Sequence, residues 1–355
     1  MIDRIRARRC FVAVLIAMFA AGCATPPPAP RETERAPALP ATPPPTARGI
    51  DPAAGDRVLA LDCSRIGADD VRNTLTHLPA PQIVLLHGGI YPVHLVMNSF
   101  GQFLTGMGYP EAAIRHPGDR RWSHSPYENS EQITGLIAWY YERDGLRPMM
   151  IGHSQGGVQA VKVLYELAGR FGDTVRVWNP LRDAAEERTS IVDPLTGEVR
   201  PVVGLSVPYV STLGAGGAAL LLPNQWSMLT RLRSIPDTVE DFTGYAIELD
   251  FWAWTLPGLP GTREYQANGG AKVRNVLLPA SSNHVLLPVT DELAHAGPTR
   301  DWIDAYVPDD AAKSTPPADS PDGALWAADV WHGVKKHWCL EVQHLVRRSR
   351  VSGKG

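Results

Sequence analysis

Residues 147–167 read RPMMIGHSQGGVQAVKVLYEL. Met149, Met150 and Ile151 form an apolar run bounded by turn residues, which predicts a short buried strand. Gly152-His153-Ser154-Gln155-Gly156 is a G-x-S-x-G element. Val158, Val161, Leu164, Tyr165 and Leu167 then recur at helical spacing. A serine on a tight turn between strand and helix lifts its hydroxyl out of the sheet. It also puts the following backbone N–H groups at a helix N-terminus, where they can stabilise an oxyanion. Glycines at 152, 156 and 157 let strand and helix pass closely.

Outward from this element, the chain alternates strands and helices. Gln82–Leu86 predicts a buried strand that ends in His87-Gly88-Gly89-Ile90. Such a loop places backbone N–H groups at the carboxyl end of a sheet, where open α/β sheets bind ligands. Asn98–Gly106 and Ser130–Glu142 read as helices, the second with Ile133, Leu136, Ile137 and Tyr140 on one face and Gly145 just past its end. Val58–Asp62 reads as an edge strand and Ala112–His116 as a weak strand. Thr189–Val203 reads as a hairpin, inside an insertion of about 172–203. Residues 213–240 read as a helical cap containing the apolar Leu220, Leu221 and Leu222. Tyr245–Leu249 and Val273–Leu278 are further strands, Ala311–Pro321 is a polar loop, and Leu325–Leu345 is a final helix. The alternation implies an α/β fold, a mostly parallel sheet with helices on both faces.

The chain has 355 residues, 44% of them apolar, enough for one large domain or two small ones. Its formal charge is −3, so no basic excess points to nucleic acid. The first 22 residues carry Arg4, Arg6, Arg8 and Arg9 and then an apolar run from Phe11 to Ala21, too short for an ordinary membrane span. That pattern predicts a signal peptide over 1–22. Ala20-Ala21-Gly22-Cys23 resembles the lipobox of bacterial lipoproteins, with Ala20 where leucine is commoner. The resemblance implies a lipid on Cys23, a membrane anchor and an envelope location. Ala24 after the cysteine implies the outer membrane, facing the periplasm. Ordinary cleavage, giving a soluble periplasmic or secreted protein, is the alternative. Residues 23–50 are proline-rich and read as an extended tether, leaving 51–355 as the folded domain. Beyond Cys10 and Cys23, only Cys63 and Cys339 remain. They form either a bridge or two buried thiols.

A serine hydroxyl needs a base, the base an orienting acid, and the alkoxide a set of donors. Ser154, Asp250 and His284 follow successive strands in the order serine, acid, histidine. Asp237 and Asp241 are rival acids. His295, His332, His337 and His344 are rival bases, but these fall on helices or beyond the last strand. On GHSQGG and His87-Gly88-Gly89, the chain resembles the lipase- and esterase-like serine hydrolases of the α/β-hydrolase superfamily over most of residues 58–345. The resemblance implies Ser154 as nucleophile, His284 as base, Asp250 as acid, and the N–H of Gln155 with that of Gly89 or Ile90 as oxyanion donors. It implies hydrolysis of a small-molecule or lipid ester. Acyl transfer on the same triad, or a non-catalytic envelope lipoprotein on a hydrolase scaffold, are the alternatives. Trp252 and Trp254 are candidates for an acyl pocket or for the core. No nucleotide loop, HExxH motif or cysteine spacing implies a cofactor or metal.

Overall fold

The computed structural model describes residues 50–90, 93–255, 260–317 and 319–351. The signal peptide, Cys10, Cys23 and the tether up to residue 49 lie outside the described residues. Five strands form the central sheet: β1 (Ile83–Leu86), β2 (Met149–His153), β3 (Val207–Leu213), β4 (Val239–Ile247) and β5 (Lys272–Leu278). Their spatial order is their chain order, and every pairing is parallel, with Leu85 opposite Ile151, Ile151 opposite Ser211 and Val276 opposite Tyr245. All five carboxyl ends therefore open on one edge.

Period-two alternation divides the strand residues between two cores. Leu85, Met149, Ile151, Tyr209 and Tyr245 face a layer made by α1 (Pro52–Leu59), α2 (Val93–Gly106) and the long C-terminal α6 (Ala324–Val351). Val84, Leu86, Met150, Val210 and Phe242 face α3 (Ser130–Asp144) and α4 (Gln155–Leu167). A smaller helix, α5 (Gly297–Ala305), packs on α6. The first layer is fixed by Trp326, Trp331 and Trp338, all fully buried. Trp326 lies 4.4 Å from Phe100 and Trp338 lies 4.8 Å from Tyr109, centroid to centroid. Burial of each such ring contributes on the order of 2–3 kcal/mol. Among the described residues, no helix is long and apolar enough to cross a membrane.

The α/β reading holds, and three local expectations are corrected. Val58–Asp62 is not a strand: Val58 and Leu59 are the last two residues of α1, whose first N–H groups are capped by the Asp51 carboxylate and whose first residue is Pro52. Asp-Pro is a helix start, and it outweighs the strand-like VLAL run. Ala112–His116 is a 3₁₀ turn over Glu111–Ala113 followed by a bend. The sheet edge beside β1 is instead met by a single bridge from His124 to Leu86. The segment read as a helical cap holds no α-helix. It is two 3₁₀ turns, Gly217–Leu221 and Pro223–Met228, then a short strand, Ser234–Pro236, and residues 239–240 already belong to β4. Gly216 and Gly217 at φ 138° and 56°, with Pro223, break helical continuity. The hairpin is present, pairing Ser190–Val192 with Val199–Pro201. The polar loop carries one turn of helix, Ala311–Ser314.

Cys63 and Cys339 are bonded, with Cα atoms 5.5 Å apart and both side chains buried. The bond joins the start of the domain to α6. Replacing both cysteines by alanine is expected to lower the free energy of unfolding by about 2–5 kcal/mol. Urea midpoints of the double variant and of the reduced wild type check this; unchanged midpoints would show that the packing of α6 alone holds this corner.

Candidate active site

The carboxyl edge carries Ser154, Asp250, His284 and the His87–Ile90 loop; His284 bonds Asp250, and no hydrogen bond joins Ser154 to His284 Nε2. Ser154 follows β2 with φ 55° and ψ −123°, a conformation that non-glycine residues avoid. The glycines explain how it persists. A Cβ on Gly152 would sit 2.5 Å from the Gly156 carbonyl, and one on Gly156 would overlap the Leu86 carbonyl. The turn is clamped between β1 and α4, and Ser154 N–H is tied to the Leu213 carbonyl of β3 at 2.7 Å.

After β4, Asp250 is held by the main chain. Its Oδ1 accepts from Trp252 N–H (2.9 Å) and Ala253 N–H (3.2 Å), and its own N–H donates to Thr255 Oγ1 at 2.8 Å. That leaves Oδ2 to accept from His284 Nδ1, 2.6 Å away. His284 lies in the loop after β5, where Asn283 Oδ1 caps the N–H groups of Val285 and Leu286 and Asn283 N–H donates to Asp322. With Nδ1 donating to a carboxylate, the lone pair of the neutral ring is on Nε2. Nε2 is buried and makes no hydrogen bond. Gly214, which the sequence reading passed over, makes room for this pair: at φ 59°, its Cβ would lie 2.7 Å from the His284 ring. The GAGG run directly after β3 is the signal that could have found it.

The rivals are occupied elsewhere. Asp237 accepts from Gly270 N–H, and Asp241 is shared by Lys336 and His337. His332, His337 and His344 lie on α6, and His295 ends a 3₁₀ turn. Trp254 is exposed at the rim and Trp252 is half-buried.

His87-Gly88-Gly89-Ile90 passes over the elbow. A Cβ on Gly88 would come within 3.2 Å of Ser154 Cβ, and one on Gly89 would overlap the Gln155 side-chain oxygen. Tyr127, absent from the sequence reading, donates its hydroxyl to the Gly89 carbonyl at 3.0 Å. Its loop is anchored by Glu128, which accepts from Ser125 N–H (2.8 Å) and lies 2.9 Å from His124 Nδ1 and 3.3 Å from Arg121. Burial alone would raise the Glu128 pKa, but His124, Arg121 and the Ser125 N–H outweigh it and hold it at about 2. Its ionised form therefore stabilises the fold above pH ~4.5, and that contribution is lost as the pH falls through about 2. Glu128→Gln is expected to be less stable than wild type at neutral pH, with the gap closing between pH 4.5 and 2. Denaturant midpoints across that range check it; a gap constant with pH would remove the charge from the explanation.

His153, the last residue of β2, is fully buried. Its Nε2 lies 2.7 Å from the His284 carbonyl and its ring centroid 5.1 Å from that of His284. Burial first, then the nearby His284, lower its pKa to about 3. His87 is lowered too, mainly by burial, and its Nδ1 contacts the Gly88 carbonyl.

The arrangement thus joins an oriented imidazole with an unpartnered Nε2, a strained serine at a helix N-terminus and a glycine loop above it. Among the described residues, no group of three or more His, Cys, Asp or Glu side chains could hold a metal ion. Compared with models of known protein families and with curated proteins, the chain matches none.

Proposed function

We propose that the chain is a serine hydrolase of α/β-hydrolase type that cleaves carboxylic esters. The observation that carries the reading is the Asp250–His284 pair, with Nε2 buried and unpartnered on the edge where Ser154 stands at φ 55°. His284 takes the Ser154 proton, and Oγ attacks the ester carbonyl. Gln155 N–H, with Gly89 or Ile90 N–H, receives the oxyanion. The alcohol departs with the proton from His284, and water cleaves the acyl-enzyme by the same steps.

The rim supports an apolar ester. Ile90, Tyr127, Leu221, Trp226, Phe251 and Leu286 are each 46–63% exposed. The loops of Tyr127, Leu221, Trp226 and Phe251 are linked along the edge, since Asn224 donates to the Pro126 carbonyl and Ala218 N–H to the Trp252 carbonyl. We place the protein in the bacterial envelope, anchored by lipidated Cys23 and the tether, on the N-terminal sequence pattern. Labelling by a fluorophosphonate probe, followed by a series of nitrophenyl esters of rising chain length, tests the reading. Labelling and turnover are expected, with a preference for longer acyl chains. A folded protein that neither labels nor turns over, with or without detergent, would overturn it.

A further inference from the structure

We infer that His153 is a positioning residue of this site: from the strand that delivers the serine, its imidazole N–H holds the backbone of His284 and sets the reach of the base. The inference rests on the serine-hydrolase reading. A carbonyl can only accept, so His153 Nε2, 2.7 Å from the His284 oxygen, carries the proton. The lone pair is then on Nδ1, which is buried and has no partner. A side chain kept only to fill space would be apolar there and would leave no orphan acceptor. The imidazole therefore does something that filling does not.

The topology says what that is. β2 and β5 are separated in the sheet by β3 and β4, so no ladder fixes Ser154 relative to the loop that carries His284. Asp250 orients the His284 ring, and Asp322 and Asn283 fold its loop. None of these refers to β2. The His153 bond does, directly, and Nδ1 of the same ring faces Gly88, whose Cβ would be 3.5 Å away. One imidazole thus meets the glycine loop, the nucleophile strand and the base. Burial keeps it neutral, so it neither competes for the proton nor sets a second cation beside His284.

His153→Phe, which keeps a ring and loses the donor, is expected to lower kcat about 10- to 100-fold with KM changed less than about threefold. The rate of fluorophosphonate labelling of Ser154 falls by the same factor. His153→Gln, whose amide can reach the Nε2 position, restores activity to within about fivefold of wild type. His153→Asn, too short to reach, behaves like the phenylalanine variant. A folded His153→Phe with wild-type kcat and labelling would overturn the inference. Should that variant not fold, equal activities for the Asn and Gln variants would overturn it instead. Nitrogen-15 spectra of the imidazoles give a readout independent of turnover: the Nε2–H tautomer of His153 is expected, and an Nδ1–H tautomer sinks the assignment. A wild type that is never labelled fails the underlying reading, while labelling equal in wild type and folded His153→Phe fails this one alone.

Discussion

Ser154→Ala is expected to lower ester turnover by about 10⁴- to 10⁶-fold and to abolish fluorophosphonate labelling. The size follows from the division of labour. Without Oγ there is no acyl-enzyme, and attack falls to a water that no strained turn positions. On the hydrolase reading, what remains is the oxyanion donors and the binding surface, which together are expected to exceed the rate in water by about 10³- to 10⁴-fold. Stability should be nearly untouched, because the strain at φ 55° belongs to the backbone between Gly152 and Gly156 and alanine shares it. Equal melting temperatures with lost turnover would place the serine in the chemistry. A Ser154→Ala chain with full activity would end the hydrolase reading, whatever the geometry of Asp250 and His284.

Asp250→Asn should cost about 10⁴-fold in kcat with the fold intact. The Asn oxygen can still accept from Trp252 and Ala253 N–H, as Oδ1 does now. The amide nitrogen then faces His284 Nδ1, where a carboxylate oxygen stands at 2.6 Å. An amide N–H there demands a lone pair on Nδ1 and drives the imidazole proton to Nε2. The base presents a donor to Ser154 instead of an acceptor. Asp237→Asn and Asp241→Asn, by contrast, should leave kcat within about twofold, since neither carboxylate reaches His284. Steady-state kinetics of the three variants separates the candidates, and a loss at Asp241 matching that at Asp250 would reassign the acid.

The sheet and the order of the site were legible because both are written at strand ends. Apolar runs stop at His87, Ser154, Asp250 and the loop to His284, and parallel strands bring those stops to one edge. The choice among three aspartates around one strand was not legible from order alone. It depends on which side chain the main chain at Trp252 and Ala253 can hold, which is a matter of loop geometry. Gly214 and Tyr127 were missed for a related reason. Each acts on a partner distant in sequence, the first by making room for His284 and the second by fixing the Gly89 carbonyl. Helix α1 was misread because an alternating apolar run and a short amphipathic helix look alike over five residues. Asp51-Pro52 was the better guide. In the stretch after β3 the leucines suggest a helix, but Gly216, Gly217 and Pro223 decide the outcome as two 3₁₀ turns.

The bond between Cys63 and Cys339 sets a timetable for synthesis. β1 to β5 can be laid down in order as the chain emerges, each against its predecessor, but α6 is made last. At about 5–20 residues per second, the sequence separation of 276 residues from Cys63 to Cys339 takes on the order of 15–55 s to synthesise. Throughout that interval Cys63 has no Cys339 to bond, and the sheet face that Trp326, Trp331 and Trp338 will cover is open. Chains stopped before α6 should therefore bind holdase chaperones and aggregate, whereas the full chain covers the face and, once in an oxidising compartment, closes the covalent ring.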